Sequence, residues 1–254
     1  MNSGQHKQDT PEKLTPYHNN RSKGEQVEEM FDHIAPAYDF MNSAMSMGQH
    51  KRWRRVALKM AFDAAPCPSE VLDMATGTGD VAFALARSLP KASITGIDLS
   101  AGMLEIAKKR LAEAETDIRG RISFLKGDCL SLPFANERFD LLTVAYGVRN
   151  FQNLKQGLAE MHRVLKPGGV ACIIELARPR KAIPLAGYKI YTALIPIAGR
   201  LIAGDSDAYR YLPESIALCP QRERMTELLL QSGFREARWK QLTLGTLCIY
   251  IAKK

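Results

Sequence analysis

The sequence predicts a doubly wound α/β fold, with helices on both faces of a mostly parallel, seven-stranded sheet that ends in an antiparallel hairpin. Three observations predict it. Short apolar runs alternate with stretches of helical periodicity from residue 70 to residue 175, and such alternation buries a parallel sheet between helices. The first run passes into a helix through a glycine-rich turn, Ala75-Thr-Gly-Thr-Gly79. The last two runs are joined by a short turn at Gly245, too short for a crossover and therefore antiparallel.

The elements follow in order. Residues 1–24 are polar, lack apolar periodicity and read as a mobile tail, which leaves 25–254 as a single domain. Residues 25–62 read as a helical cap, with Val27, Met30, Phe31 and Ile34 at helical spacing. Within it, Lys51-Arg-Trp-Arg-Arg55 reads either as a solvated helix face or as a surface for acidic lipid or phosphate. Strands are expected over Glu70–Ala75, Ser93–Leu99, Arg121–Leu125, Phe139–Ala145 and Val170–Glu175. Helices over Val81–Ser88, Ala101–Glu115 and Leu154–Leu165 fall among them, and the right-handed crossover rule leaves few topologies. A helix over Gln221–Ser232 precedes the closing strands Glu236–Leu242 and Thr246–Ala252. Ile183–Ala203 is apolar over about the length of a membrane span. Lys189 and Arg200 interrupt it, and Pro184 and Pro196 weaken a straight helix. It reads as part of a helical insertion, 183–215, that lies over a pocket or touches a membrane.

Composition sets outer bounds. A chain of 254 residues, 46% hydrophobic, can bury a sizeable core. Its net charge of +8 suits nucleic acid, an anionic membrane surface or plain solubility. Cys67, Cys129, Cys172, Cys219 and Cys248 are scattered without a C-x-x-C pair. That argues against a disulfide framework or zinc site and for a reducing compartment. The histidines show no metal-ligand spacing, so no metal is expected. The first residues lack the apolar stretch of a secretory signal, and the expected location is the cytoplasm.

Chemistry concentrates in Val71-Leu-Asp-Met-Ala-Thr-Gly-Thr-Gly-Asp80. Gly77 and Gly79 allow backbone angles and close approaches that a Cβ forbids, and the first turn of such a sheet borders its ligand crevice. Taken alone, the turn also fits a tight connection with no ligand. The third glycine of the dinucleotide fingerprint is missing, which argues against NAD or FAD. Asp98 ends the second strand, where a carboxylate can accept both hydroxyls of a ribose; it also fits an acid ahead of the helix that follows Ser100. Asp128, in Gly127-Asp-Cys129, follows the third strand and can accept an adenine amine. The three features after three successive strands are more specific together than any one of them.

With these residues the sequence resembles the class I S-adenosylmethionine methyltransferases over roughly residues 65–252. Their Rossmann-like sheet carries an antiparallel seventh strand, and a turn similar to Lys166-Pro-Gly-Gly169 precedes its fifth strand. More narrowly, the chain resembles the ubiquinone/menaquinone C-methyltransferases. Four stretches carry this: Phe31-Asp-His-Ile-Ala-Pro-Ala-Tyr-Asp-Phe-Met-Asn42, Tyr146-Gly-Val-Arg-Asn150, Glu175-Leu-Ala-Arg-Pro179 and Asp205-Ser-Asp-Ala-Tyr-Arg-Tyr-Leu-Pro-Glu-Ser215. The resemblance implies S-adenosylmethionine as co-substrate, with Thr78, Asp98, Asp128 and Cys129 at contact positions and Asp73, Gly77 and Gly79 in the binding turn. A serine contact that some members have in strand four falls here on Ala145.

The implied reaction is methylation of a ring carbon on a reduced, demethylated polyprenyl quinone. Demethylmenaquinol is expected, since the Ala-Thr-Gly-Thr-Gly turn is more similar to menaquinone-type members; the ubiquinone-pathway benzoquinol is the alternative. Arg149 and Asn150 follow strand four, where Arg149 either stabilises a quinolate oxygen or forms a surface salt bridge. Tyr38, with Asp39, either closes over the co-substrate or caps the early helix. Tyr209 and Tyr211 line the ring pocket or belong to the core. The insertion would take the isoprenoid, and the basic surface would dock peripherally on the inner face of the membrane. A homodimer is a further expectation. An RNA or protein methyltransferase is the competing reading, slightly favoured by charge. Yet strand four ends without an Asn-Pro-Pro-Tyr-type motif, and no basic block is interleaved with aromatics, so no nucleic-acid partner is expected. A non-catalytic S-adenosylmethionine-binding module is disfavoured by Asp98, Asp128 and Arg149 together.

Overall fold

The computed structural model describes residues 11–17, 19–189, 192–193 and 206–254. Helix α1 (Lys23–Met45) opens with a capping box in which Ser22 Oγ accepts from the Glu25 amide and the Glu25 carboxylate accepts from the Ser22 amide. The cap expected over 25–62 is two helices. Met47 and Gly48, at φ 48° and 73°, break the chain before α2 (Gln49–Ala64). Part of the stretch expected as a tail is held on α1. Pro16 is buried, Leu14 and Tyr17 pack against the α1 cluster, and the Tyr17 amide donates to Gln26 Oε1 at 3.0 Å. A few apolar side chains suffice to hold that segment on α1; residues 1–10 and 18 lie outside the described residues.

Strands β1 (Glu70–Met74), β2 (Ser93–Asp98), β3 (Ile122–Lys126), β4 (Phe139–Ala145), β5 (Leu165–Leu176), β6 (Glu236–Leu242) and β7 (Leu247–Lys253) form one sheet in the order β3-β2-β1-β4-β5-β7-β6. The first five are parallel, and β7 runs antiparallel to both β5 and β6. β5 starts earlier than the expected Val170. Leu165 already pairs with Phe139, and the Lys166–Gly169 turn shifts the register before Val170 pairs with Leu141. Helices α3 (Asp80–Ser88), α4 (Ala101–Ala112), α5 (Thr116–Arg119) and α6 (Leu154–Val164) connect the parallel strands. Residues 182–189 form α7, followed by α8 (Ser206–Leu218) and α9 (Glu223–Gln231). The expected insertion falls partly on residues 190–191 and 194–205, outside the described residues.

Alternate side chains on each strand point to opposite faces, so Leu72 joins Leu142, Leu158, Met161 and Leu229 on one side. Val71 joins Ala57, Leu85, Ile94 and Ile251 on the other. The basic run 51–55 spans this second layer. Trp53 is buried and donates from Nε1 to Thr243 Oγ1 at 2.7 Å, and Arg54 turns inward to Asp80 at 2.7 Å. Only Lys51, Arg52 and Arg55 remain exposed. Strand order reverses between β1 and β4, which opens a crevice at their carboxyl ends.

Asp140 pins the opposite end of the same strands. Its carboxylate accepts from the Ser69 amide and hydroxyl, the Glu70 amide and Lys166 Nζ, all within 3.0 Å. Burial pushes this carboxyl up, but Lys166 and the hydrogen bonds from Glu70 and Ser69 outweigh it and draw it down to about 2. A depressed folded pKa gives stability present above the unfolded carboxylate range and lost as pH falls toward 2. With solvent screening at this partly exposed site, Asp140→Asn should cost about 1 kcal/mol at pH 7. In urea titrations the difference from wild type should vanish near pH 2; a gap that persists there would mean charge is not its source.

Candidate functional site

Two left-handed residues shape the crevice. Ala75 after β1 and Tyr146 after β4 have φ of 50° and 59°, and each turns its strand sharply at the carboxyl end. The turns nearly touch: a Cβ on Gly147 would stand 2.8 Å from Ala75 Cβ and 2.9 Å from Val144 Cγ2. A main cleft of about 780 Å³, counting its open mouth, lies to one side and a second pocket of about 580 Å³ to the other. Tyr38, Ala75, Gly77, Ala145 and Tyr146 line both.

The main cleft brings together Tyr38, Gly77, Asp98, Asp128, Cys129 and Asn150 of the expected residues. Asp73 and Thr78 line the second pocket instead, with Arg54 and His50. Gly79 lines neither. It caps α3 at φ 86°, where a Cβ would meet the Phe124 and Phe83 rings at 2.9 and 3.0 Å. Asp98 accepts from the Gly77 amide at 2.7 Å and the Ser100 amide at 2.9 Å, so it braces the glycine turn and the α4 entry while lining the cleft. Burial raises its pKa against those two amides. Asp128 is exposed and accepts from the Leu130 amide at 2.8 Å. Burial pushes the Cys129 thiol up, so it stays protonated. Asp73 sits between the Thr143 and Thr76 hydroxyls, each at 2.6 Å, and burial pushes it up to about 6 despite them.

Beyond β4, a single 3₁₀ turn (Val148–Asn150) carries Arg149 and Asn150, both buried. Arg149 Nη1 donates to Glu175 Oε1 at 3.0 Å and to the Tyr146 carbonyl, and the Arg149 amide donates to Glu175 Oε2 at 3.3 Å. The pair is therefore not a surface salt bridge, since Glu175, at the end of β5, is only 2% exposed. Burial lowers the Arg149 pKa, but Glu175 and the nearby Tyr38 and Tyr211 phenols raise it further, and the guanidinium stays charged. Asn150 Nδ2 donates to the same Tyr146 carbonyl at 3.2 Å. Tyr209 and Tyr211 pack α8 against Met30, Ile34 and Met41 of α1, so Tyr209 is core while Tyr211 also faces Arg149. Lys23 escaped the sequence reading. It is buried, donates from Nζ to the Pro11 and Arg149 carbonyls at 2.6 and 3.3 Å, and burial brings its pKa down to about 8.

Helix α1 roofs the cleft, and three of its acids hold it there. Asp32 accepts from Ser100 Oγ at 2.5 Å and the Gly102 amide at 2.8 Å. Asp39 accepts from Thr78 Oγ1 at 2.7 Å and pairs with Arg110 at 3.4 Å, and Glu28 pairs with Lys126 at 2.6 Å. Positions 28, 32 and 39 share one helix face, the one sequence signal that could have disclosed them.

The profile of the ubiE/COQ5 methyltransferase family matches residues 19–254. The demethylmenaquinone methyltransferase of Porphyromonas gingivalis is 46% identical over 247 residues, covering 96% of this chain and 99% of that protein. The protein of that name from Bacteroides fragilis is 41% identical over 244 residues, covering 96% and 98%. Among solved structures, phosphoethanolamine N-methyltransferase 2 of Haemonchus contortus, in complex with S-adenosyl-L-methionine, superposes with a TM-score of 0.58 at 15% identity, over 79% of this chain and 52% of that one. A SAM-dependent methyltransferase from Aquifex aeolicus gives 0.55 at 19% identity, over 79% and 88%. These structures share the fold.

Asp32→Ala removes two hydrogen bonds to a carboxylate, each worth about 1.5–3 kcal/mol. Amides of α1 should then exchange at least about tenfold faster with solvent, while those of β1 and β4 keep their rates. Hydrogen exchange that accelerates everywhere, or nowhere, would refute a local latch.

Proposed function

The chain belongs to the ubiE/COQ5 methyltransferase family, and from that premise we propose that it transfers a methyl group from S-adenosylmethionine to a ring carbon of demethylmenaquinol. Relatives named demethylmenaquinone methyltransferase, 39–46% identical over 96% of the chain, support the substrate. One geometric observation carries the reading. The glycine turn and the Asp98 carboxylate open into the same cleft as Asn150, beside a buried Arg149–Glu175 pair faced by Tyr38 and Tyr211.

The residues present suit S-adenosylmethionine. Gly77 is left-handed at φ 57° and has open space where a Cβ would stand. Asp98 would take the ribose hydroxyls and Asp128 the adenine amine, with Cys129, Leu99 and Met103 as apolar walls. The second pocket carries both signs of charge, on Asp39, Asp73 and Asp80 against Arg54, and with Thr78 it suits the amino-acid end. When bound, the co-substrate supplies an electrophilic sulfonium methyl.

The chain's own part is to make the ring carbon nucleophilic and keep it aligned. An aromatic carbon attacks well only when the adjacent hydroxyl is deprotonated. Arg149 stays protonated and is no base; its fixed charge stabilises the developing quinolate oxygen and eases loss of the proton to water. Tyr38 and the α1 roof exclude bulk solvent and hold the partners in line. Arg149→Lys keeps a charge opposite Glu175 but loses the forked donor. It should lower kcat by about 10²–10³ with little change in co-substrate affinity. The assay is transfer of labelled methyl to chemically reduced demethylmenaquinol, with the unreduced quinone as control; no transfer to any quinol despite tight co-substrate binding would refute this function.

The isoprenoid would leave the cleft along α7 and α8, and the substrate's location calls for peripheral contact with the inner face of the cell membrane. Among the described residues no helix is long and apolar enough to cross a membrane. The Trp53–Thr243 hydrogen bond seats α2 beside the turn at Leu244, which is 77% exposed, as Met47 is 83% and Ile183 87%. Leu244 and Met47, at the ends of the turns next to α2, accompany its exposed Lys51, Arg52 and Arg55, a combination that suits anionic lipid. The double variant Leu244→Ser/Arg52→Glu should reduce co-sedimentation with phosphatidylglycerol vesicles at least about fivefold, and turnover of a short-chain soluble quinol should be unaffected. Unchanged sedimentation would move the contact elsewhere.

A further inference from the structure

One acceptor in the cleft has nothing to accept. Asn150 is 7% exposed and lines the main cleft, yet its Oδ1 is buried with no hydrogen-bond partner among the described residues. The amide cannot turn over to relieve this. Its Nδ2 donates to the Tyr146 carbonyl at 3.2 Å, and the flipped amide would set oxygen against oxygen there. That carbonyl is itself fixed by the left-handed turn at Tyr146, φ 59°, and by a second donor, Arg149 Nη1. On the preceding residue, Arg149 Nε is also buried without a partner among the described residues. The sequence neighbours Arg149 and Asn150 are thus locked through one carbonyl, and what they leave free is a donor from the first and an acceptor from the second.

A ring hydroxyl answers both, because it donates one hydrogen and accepts at its oxygen. A quinone carbonyl can only accept. Bound in the same place, it would leave Asn150 Oδ1 buried and unpaired, or facing another oxygen, which costs about 1–3 kcal/mol. Discrimination of this kind is steep because the group left unsatisfied belongs to the site itself.

We propose that Asn150 is a specificity-determining residue that reads the redox state of the ring, its Oδ1 accepting a hydrogen bond that a hydroxyl of the reduced form can give and the oxidised form cannot. The inference rests on the quinol reading above. It adds that rejection of the quinone happens at binding, ahead of and apart from the quinone's lack of a nucleophilic carbon. An enzyme working where both forms of the ring coexist then keeps its cleft free of the form it cannot methylate.

The test is equilibrium binding of a short-chain prenyl-1,4-naphthoquinol, kept reduced under anaerobic dithionite, against the same compound as quinone. Wild type should prefer the quinol by at least about tenfold. Asn150→Leu should bring the two affinities within about twofold by weakening the quinol alone, and Asn150→Ala carries the same expectation should the leucine variant not fold. Equal weakening of both forms in Asn150→Leu, or no preference in wild type, would overturn the assignment. If wild type methylates the quinol and these ratios do not move, only this inference falls; if wild type neither binds nor methylates the quinol, the proposed function falls with it.

Discussion

The near-contact of Ala75 with Gly147 decides where every other group in the cleft can stand. Two adjacent parallel strands must end in turns that go separate ways, β1 into α3 and β4 toward α6. Here each turn makes its first bend with a non-glycine residue in the left-handed region, a conformation that costs of order 1–3 kcal/mol and persists only when its surroundings fix it. The fixing is visible at Tyr146, whose amide donates to the Ile174 carbonyl at 2.7 Å and whose carbonyl holds Arg149 and Asn150. Because Gly147 lacks a Cβ, the two bends close on each other, dividing one crevice into two pockets that share a narrow waist.

The roof follows from the same division. The strand ends alone would leave the crevice open, and α1 closes it through contacts that are polar at the edges and apolar at one end. Asp32 and Asp39 reach the α4 entry and the glycine turn, while Met30, Ile34 and Met41 pack on Tyr209 and Tyr211 of α8. The Asp39–Arg110 and Glu28–Lys126 pairs at the rim are partly exposed charge pairs, which contribute little to global stability, whereas Asp32 holds α1 through hydrogen bonds from the Ser100 hydroxyl and the Gly102 amide. Met103 of α4 joins the same apolar cluster, which reaches Tyr211, the phenol that faces Arg149.

The fold was legible in the sequence because its signals are short-ranged. Strand runs, helical spacing and the Gly77–Gly79 turn each occupy a few residues, and the seven strands fall within a few residues of where periodicity places them, the early start of β5 at Leu165 apart. The cleft was legible for the same reason, since Asp98 ends β2 and Asp128 follows β3 by two residues. What escaped are pairings between distant positions. Glu175 meets Arg149 across 26 residues, Asp32 meets Ser100 across 68, and Lys23 meets the Arg149 carbonyl across 126. No spacing announces such partners; strand order and helix placement create them. The same reason separates Asp73 and Thr78 from Asp98, because consecutive residues of one turn face opposite sides of the waist.

The Arg149–Glu175 pair has to be judged against its cost. Two buried charges lose several kcal/mol of hydration each, and their attraction returns that only with good geometry and added hydrogen bonds. Those bonds are present: Glu175 accepts from two backbone amides besides the guanidinium. Even so, an apolar pair of similar volume would hold β4 to β5 about as well, so stability alone does not account for a charge placed here. Its consequence is local. A guanidinium anchored on one side by Glu175 and the Tyr146 carbonyl cannot swing out to water, and among the described residues neither its Nε nor the amide oxygen of Asn150 has a partner. The protein has spent a desolvated ion pair on holding an incomplete hydrogen-bonding set still, and an incomplete set held still is what a ring oxygen about to become negative requires.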